Sequence, residues 1–188
     1  MHEALGLLEL SRVSRGYVVA DAVAKKAPVL LVRASPITPG KFLVLFIGDV
    51  ASVDEAMRAG TMAASDTLVD SVFLAQVHAA IPPALEHAPH AAAIQSLAIV
   101  ETLSVASTIL ACDAALKAAN VTLITMQLAR GLGGKGYFVL TGTLYDIEAA
   151  DAAATQAIDS GLLAGHEVIA APHDDLVESL RHPALQRP

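Results

Sequence analysis

Glu9 and Glu101 are the carboxylates best placed for chemistry, each following a run of apolar residues and lying 92 positions apart. Paired carboxylates can do acid–base work. Their matching positions argue instead for a structural role, such as accepting backbone hydrogen bonds. His78, His87, His90, His166 and His173 fall in no metal spacing of the His-Glu-x-x-His kind, so no metal site is expected. Gly131-Leu132-Gly133-Gly134-Lys135 resembles a phosphate cradle only in part. It is too short for a Walker loop, lacks the following Ser or Thr, and enters a strand where a phosphate loop enters a helix. A tight turn with close backbone approach is the expectation. No local spacing draws a Ser/His/Asp arrangement, and no catalytic residue is predicted.

The elements that must hold these residues occur twice. Glu9, Val13, Asp21, Ala22, Lys25, Ala27, Val29 and Leu31 recur as Glu101, Val105, Asp113, Ala114, Lys117, Ala119, Val121 and Leu123, each pair 92 positions apart. After a two-residue insertion Gly40-Lys41 matches Gly134-Lys135, Gly48 matches Gly142 and Ala56 matches Ala150. A period this long is a whole domain. The reading is a domain over 1–86, a linker rich in His, Ala and Pro over 87–93, a second domain over 94–181 and a frayed tail over 182–188. If such chains close into a ring, the ring has twice as many similar lobes as chains.

Strands are expected at Ala4–Leu10, Val29–Ala34, Phe42–Ile47 and Leu68–Val77, with a helix over Tyr17–Ala27. Ser35 to Gly40 reads as a turn, because two prolines and a glycine interrupt it. Ser52-Val53-Asp54-Glu55 has the form of a capping box opening a helix that runs to about Ala64. A short helix follows Pro82-Pro83. In the second half, strands are expected at Leu97–Glu101, Val121–Met126, Tyr137–Thr141 and His166–Ala170, and Asp146 takes the place of Ser52 as helix cap. The order β-α-β-β-α-β, twice over, defines an α+β, ferredoxin-like fold. Asp21–Lys25 and Asp113–Lys117 are i,i+4 pairs, worth a few tenths of a kcal/mol as exposed helix pairs. The recurrence of the lysines also fits an edge contact.

Composition narrows the function. Among 188 residues, 54% are apolar and 16% charged, with a mean hydropathy of +0.55. No apolar run reaches the roughly 18 residues of a membrane span, so the low charge predicts burial at subunit contacts. A net charge of −7 with no basic block excludes nucleic acid as the expected partner. The single cysteine, Cys112, excludes a disulfide framework, and with the absence of a leader-like segment predicts a cytoplasmic chain.

These residues resemble the tandem-domain shell proteins of bacterial microcompartments, over nearly the whole chain. Ala4-Leu5-Gly6-Leu7-Leu8-Glu9 and Ala98-Ile99-Val100-Glu101-Thr102 are similar to that family's opening strand. Asp21-Ala22-Val23-Ala24-Lys25 and the run from Asp113 to Val121 are similar to its signature helix and turn. Gly40-Lys41 and Gly134-Lys135 follow its axial loop, and Ala171-Pro172-His173, with Val77-His78 as a weaker copy, resembles its C-terminal edge motif.

The resemblance implies a non-enzymatic protein without cofactor: a flat homotrimer, pseudohexameric in outline, tiling with hexameric and pentameric shell proteins and passing small polar metabolites through a central pore. Thr38, with Ile37, Pro39 and Gly40, is the expected pore lining, followed by Gly131, Leu132, Gly133 and Gly134. Lys25, Lys117, His78 and His173 are the expected shell-edge contacts. Within the family the likeness is greatest to the propanediol-utilisation branch, where an axial-loop cysteine binds an iron–sulfur cluster. Thr38 stands at that position here, so no cluster is expected. The alternative is a trimeric ferredoxin-like small-molecule sensor of the PII type, whose long exposed loop has no counterpart here.

Overall fold

The structure is a computed structural model that describes residues 4–86, 93–129 and 131–181. The elements run β1 (Ala4–Leu10), α1 (Val13–Lys26), β2 (Leu30–Ile37), β3 (Lys41–Gly48), α2 (Val50–Ala64), β4 (Leu68–Leu74) and α3 (Ile81–Glu86). They continue as β5 (Ser96–Thr102), α4 (Val105–Ala118), β6 (Thr122–Leu128), β7 (Gly136–Gly142), α5 (Leu144–Gln156), β8 (Leu163–Ile169) and α6 (Asp174–Arg181). The strands form two four-stranded sheets, ordered β2-β3-β1-β4 and β6-β7-β5-β8. This is the ferredoxin-like α+β arrangement expected from the sequence, made twice.

Two compact units divide the chain along lines that differ from the repeat. One contains the residues up to Val77 with Leu103–Leu110 and Leu128–Gly136; the other contains His78–Thr102, Ala111–Gln127 and the residues from Tyr137 on. In the first unit, Leu8, Leu10, Val44 and Phe46 pack one face of the sheet onto Val19 and Val23 of α1 and Val53, Ala56 and Met57 of α2. The opposite face is also buried: Leu5, Leu7, Leu43 and Leu45 are all sealed from solvent. Side chains alternate across a strand, so the continuous apolar run of β3 serves two packed faces. In the second unit, Leu97, Ile124 and Val139 form a core with Ile169 of β8 and Leu180 of α6.

Several boundaries differ from expectation, each for a physical reason. Helix α1 starts at Val13, four residues before Tyr17, and carries Gly16 inside it. A Cβ at Gly16 would stand 2.1 Å from the Phe42 ring, so this glycine makes room for packing and does not break the helix. The expected turn from Ser35 shrinks to Thr38–Gly40. Ser35, Pro36 and Ile37 belong to β2, with Pro36 opposite Phe42. Because β2 is an edge strand, a proline without an N–H is tolerated there.

The helix caps also sit three residues before the expected ones. Asp49 caps α2, accepting the Ser52 N–H at 2.9 Å and the Ser52 hydroxyl at 2.6 Å, and these bonds, the hydroxyl's first, lower the Asp49 pKa. Thr143 caps α5, accepting the Asp146 N–H at 3.2 Å while donating its hydroxyl to Asp146 at 2.6 Å. Ser52 and Asp146 are thus the residues that answer the cap. The fourth strand of the first sheet ends at Leu74, short of Val77, and β8 begins at Leu163, before His166. The linker expected over 87–93 lies outside the described residues except for Ala93, as do His87, His90 and the tail over 182–188.

Candidate pore loops and edge sites

The hairpin between β2 and β3 presents Thr38, Pro39 and Gly40 to solvent, closed by the Gly40 N–H donating to the Ile37 carbonyl at 2.9 Å. Ile37 is the last residue of β2, nearly buried, and borders a cleft beside the loop. The loop from Gly131 to Gly134 belongs to the same compact unit. Its turn is closed by the Lys135 N–H donating to the Leu132 carbonyl at 3.1 Å, the tight turn expected in place of a phosphate cradle.

Gly134 has a φ of +92°, and a Cβ there would lie 3.1 Å from Pro39 Cδ and 3.2 Å from the Thr38 carbonyl oxygen. The two loops, 94 positions apart in the repeat, therefore meet at a place where a side chain on Gly134 would crowd Pro39 and the Thr38 carbonyl. They border a cleft of about 610 Å³ whose lining includes Thr38, Pro39, Gly40, Gly131 and Arg33. Sequence reading missed Arg33. Its Nε donates to Ser35 Oγ at 2.9 Å and its Nη1 to the Leu128 carbonyl at 3.4 Å. A lone cation in an otherwise uncharged edge strand was the available signal.

Glu9 is fully buried. Its Oε1 accepts from Lys41 Nζ at 2.7 Å and its Oε2 accepts the Val105 N–H at 2.9 Å. Val105 is the first residue of α4, where a carboxylate satisfies an orphan N–H and meets the positive end of the helix dipole. Nearby, Asp70 of β4 accepts from the hydroxyls of Ser104 and Ser107, and Ser104 Oγ accepts the Ser107 N–H at 3.1 Å. The structural reading of Glu9 as an acceptor of backbone hydrogen bonds holds. Lys41 as its counter-ion was not foreseen.

The two helix pairs differ. Lys25 and Asp21 lie 2.7 Å apart with side chains 75% and 59% exposed, an ordinary surface pair. Lys117 and Asp113 lie 2.5 Å apart, but Asp113 is only 6% exposed and its Oδ1 accepts the His78 N–H at 2.8 Å. The exposed-pair reading therefore fails for Asp113: burial makes it a structural acceptor. His78 and His173 occupy corresponding turns, with Nδ1 accepting the N–H two residues on, from Ala80 at 3.3 Å and from Asp175 at 3.2 Å. His166, unassigned from sequence, faces Asp151 at 2.9 Å.

An iron–sulfur cluster needs thiolates. The loop at Thr38 offers a hydroxyl. Cys112 is buried in α4, where burial and then the neighbouring Asp113 push its thiol pKa far up, away from the thiolate form. These donors do not fit a cluster.

Both halves of the chain match the BMC domain family model, over residues 4–82 and 96–172, and the chain belongs to that family as a tandem-domain microcompartment shell protein. It is 42% identical over 177 residues to the bacterial microcompartment shell protein PduT of Citrobacter freundii, covering 94% of this chain and 96% of that one. It is 35% identical over 91 residues to the major carboxysome shell protein CsoS1A of Halothiobacillus neapolitanus, covering 47% of this chain and 93% of that one. A crystal structure of a microcompartments protein from Desulfitobacterium hafniense DCB superposes with a TM-score of 0.85 at 38% identity, over 95% of this chain and 99% of that one. The PII-type alternative is not favoured by these likenesses. No helix among the described residues is long and apolar enough to cross a membrane.

Proposed function

We propose that three copies of this chain close into a flat ring of six similar lobes, which tiles the shell of a cytoplasmic microcompartment together with hexameric and pentameric shell proteins. The observation that carries this reading is one of size. A shell protein aligned over 93% of its own length covers 47% of this chain, so each chain supplies the equivalent of two such subunits. The protein acts as a wall and a passage, without catalysis and without a cofactor.

The cleft beside Thr38, Pro39, Gly40 and Gly131 is the proposed contribution of each chain to a central pore. Threonine hydroxyls both donate and accept hydrogen bonds, so they can replace water around a small polar metabolite without selecting one charge sign. Gly134 lets the second loop approach the first closely, and Gly131 and Gly133, both at positive φ, shape its turn. Lys25, Lys117, His78 and His173 are the proposed edge contacts, through which long lysine stems lie along a neighbour while the ammonium meets carbonyls.

Sedimentation or multi-angle light scattering should give a trimer, and co-assembly with a hexameric shell protein should give mixed flat sheets by electron microscopy. A chain that stays monomeric or dimeric at every working concentration overturns the ring.

A further inference from the structure

We propose that Glu101 of one copy caps the N-terminus of α1 in the next, reproducing between chains the contact that Glu9 makes with α4 inside one compact unit. The partner is a second copy of this chain, and the inference rests on the ring proposed above.

The repeat supplies the correspondence. Glu101 matches Glu9 and Val13 matches Val105, both 92 positions apart. Inside the chain, Glu9 Oε2 accepts the Val105 N–H at 2.9 Å. At α1 the equivalent end is differently provided: its cap residue, Arg12, makes no side-chain cap hydrogen bond and no acidic residue lies in the first turn. The helix thus presents a dipole end and N–H groups that call for an acceptor from elsewhere.

The flanking surfaces carry the same difference. On α4, Ala106 and Ile109 are buried. Their matches on α1 are Ser14, which is exposed, and Tyr17, which is 60% exposed, and beside them Val18 is 50% exposed. An apolar helix face that is covered in one copy of the repeat stands open in the other. The acceptor side is less covered as well. Glu9 and Leu7 are sealed, whereas the matching Glu101 and Ile99 are half-buried. Val72 of β4 is buried, whereas the residue in the same register on β8, Glu167, is exposed. The first unit therefore carries an uncovered head and the second an uncovered seat, complementary by internal precedent. Such head-to-tail pairing is heterologous and closes into a ring when the rotation permits.

The register predicts a second juxtaposition. Asp70 pairs with Glu9 in the first sheet and Gly165 with Glu101 in the second. Asp70 touches Ser104, whose match in the repeat is Arg12. Gly165 of one copy then faces Arg12 of the next.

The test is a double-mutant cycle on trimer dissociation, measured by sedimentation on the full chain. Val13→Pro deletes the N–H while suiting the first position of a helix, and the extended backbone of Arg12 accepts a following proline. Val13→Pro and Glu101→Ala should each weaken the trimer by roughly tenfold or more per contact, the worth of a charge-assisted hydrogen bond. The double variant should be no weaker than either single one. Independently, the Arg12→Cys, Gly165→Cys double variant should oxidise to a covalent trimer on a non-reducing gel. Multiplying effects in the cycle, unchanged dissociation, or cross-linking no greater than with Arg12→Cys alone overturns the capping contact while the trimer of the unmodified chain stands. A monomeric unmodified chain overturns the ring itself.

Discussion

Asp113 accepts the backbone N–H of His78 at 2.8 Å, joining a buried helix carboxylate to the turn that precedes α3. The same carboxylate holds Lys117 through its other oxygen. Replacing Asp113 with Ala leaves a part-buried N–H without its acceptor and Lys117 without its counter-ion, a loss of about 2–3 kcal/mol. Asp21→Ala, at the matching exposed pair, should cost no more than about 0.5 kcal/mol. Chemical denaturation of the two variants at equal protein concentration checks the contrast.

Replacing Lys25 and Lys117 together with Ala should leave the trimer intact and reduce flat-sheet formation. The single changes should differ in one respect. Lys117→Ala also lowers folding stability, because it strips the buried Asp113 of its counter-ion, and Lys25→Ala does not. Sheets seen by electron microscopy at undiminished yield from the double variant would reduce both lysines to helix-surface residues.

Two surface carboxylates carry a pH dependence. The Ser52 hydroxyl and N–H lower the Asp49 pKa from its ordinary 3.8, and Lys26, at 2.9 Å, lowers that of Glu55 from 4.5. A depressed pKa in the folded state means the stabilisation is present above the unfolded value and is lost as pH falls through the folded one. Melting temperature should therefore fall below about pH 5. Asp49→Asn and Glu55→Gln should each flatten that fall, the second more visibly at low salt. An unchanged acid limb in both variants would locate the acid sensitivity elsewhere.

Thr38→Phe should narrow the axial opening without altering the outer edges of the ring. In assembled shells it should slow entry of a small polar substrate, read as the lag of an encapsulated reaction. Unchanged flux through shells shown to contain the variant would place transport in the hexameric partners.

The chain purified without oxygen should hold no stoichiometric iron and show no cluster absorbance, because Thr38 supplies no thiolate and Cys112 is buried with its thiol held protonated. Iron bound in proportion to protein would overturn this expectation.

How far the sequence sufficed follows from which interactions are local. The repeat of Glu9 to Leu31 in Glu101 to Leu123, the apolar runs of β1 and β3 and the two glycine loops are chain-local signals, and from them the doubled α+β fold and its family were legible. Helix and strand limits failed where a distant residue decided them. Gly16 sits inside α1 as a glycine because Phe42 occupies the space of its missing Cβ, and Pro36 extends β2 because an edge strand tolerates a residue without an N–H. The caps at Asp49 and Thr143 lay three residues outside the expected motif because a cap is defined by which N–H its oxygen meets. The sequence by itself determined that there are two domains, what each is made of, and that Thr38 and the Gly131–Gly134 loop are counterparts. Only the tertiary structure decided that those loops touch, that Glu9 serves Lys41 and Val105, and that Asp113 is buried while Asp21 is exposed. Matching residues in the two repeats have the same local propensities. Burial and hydrogen-bond partners depend on what packs against each copy, and that is not written in either copy alone.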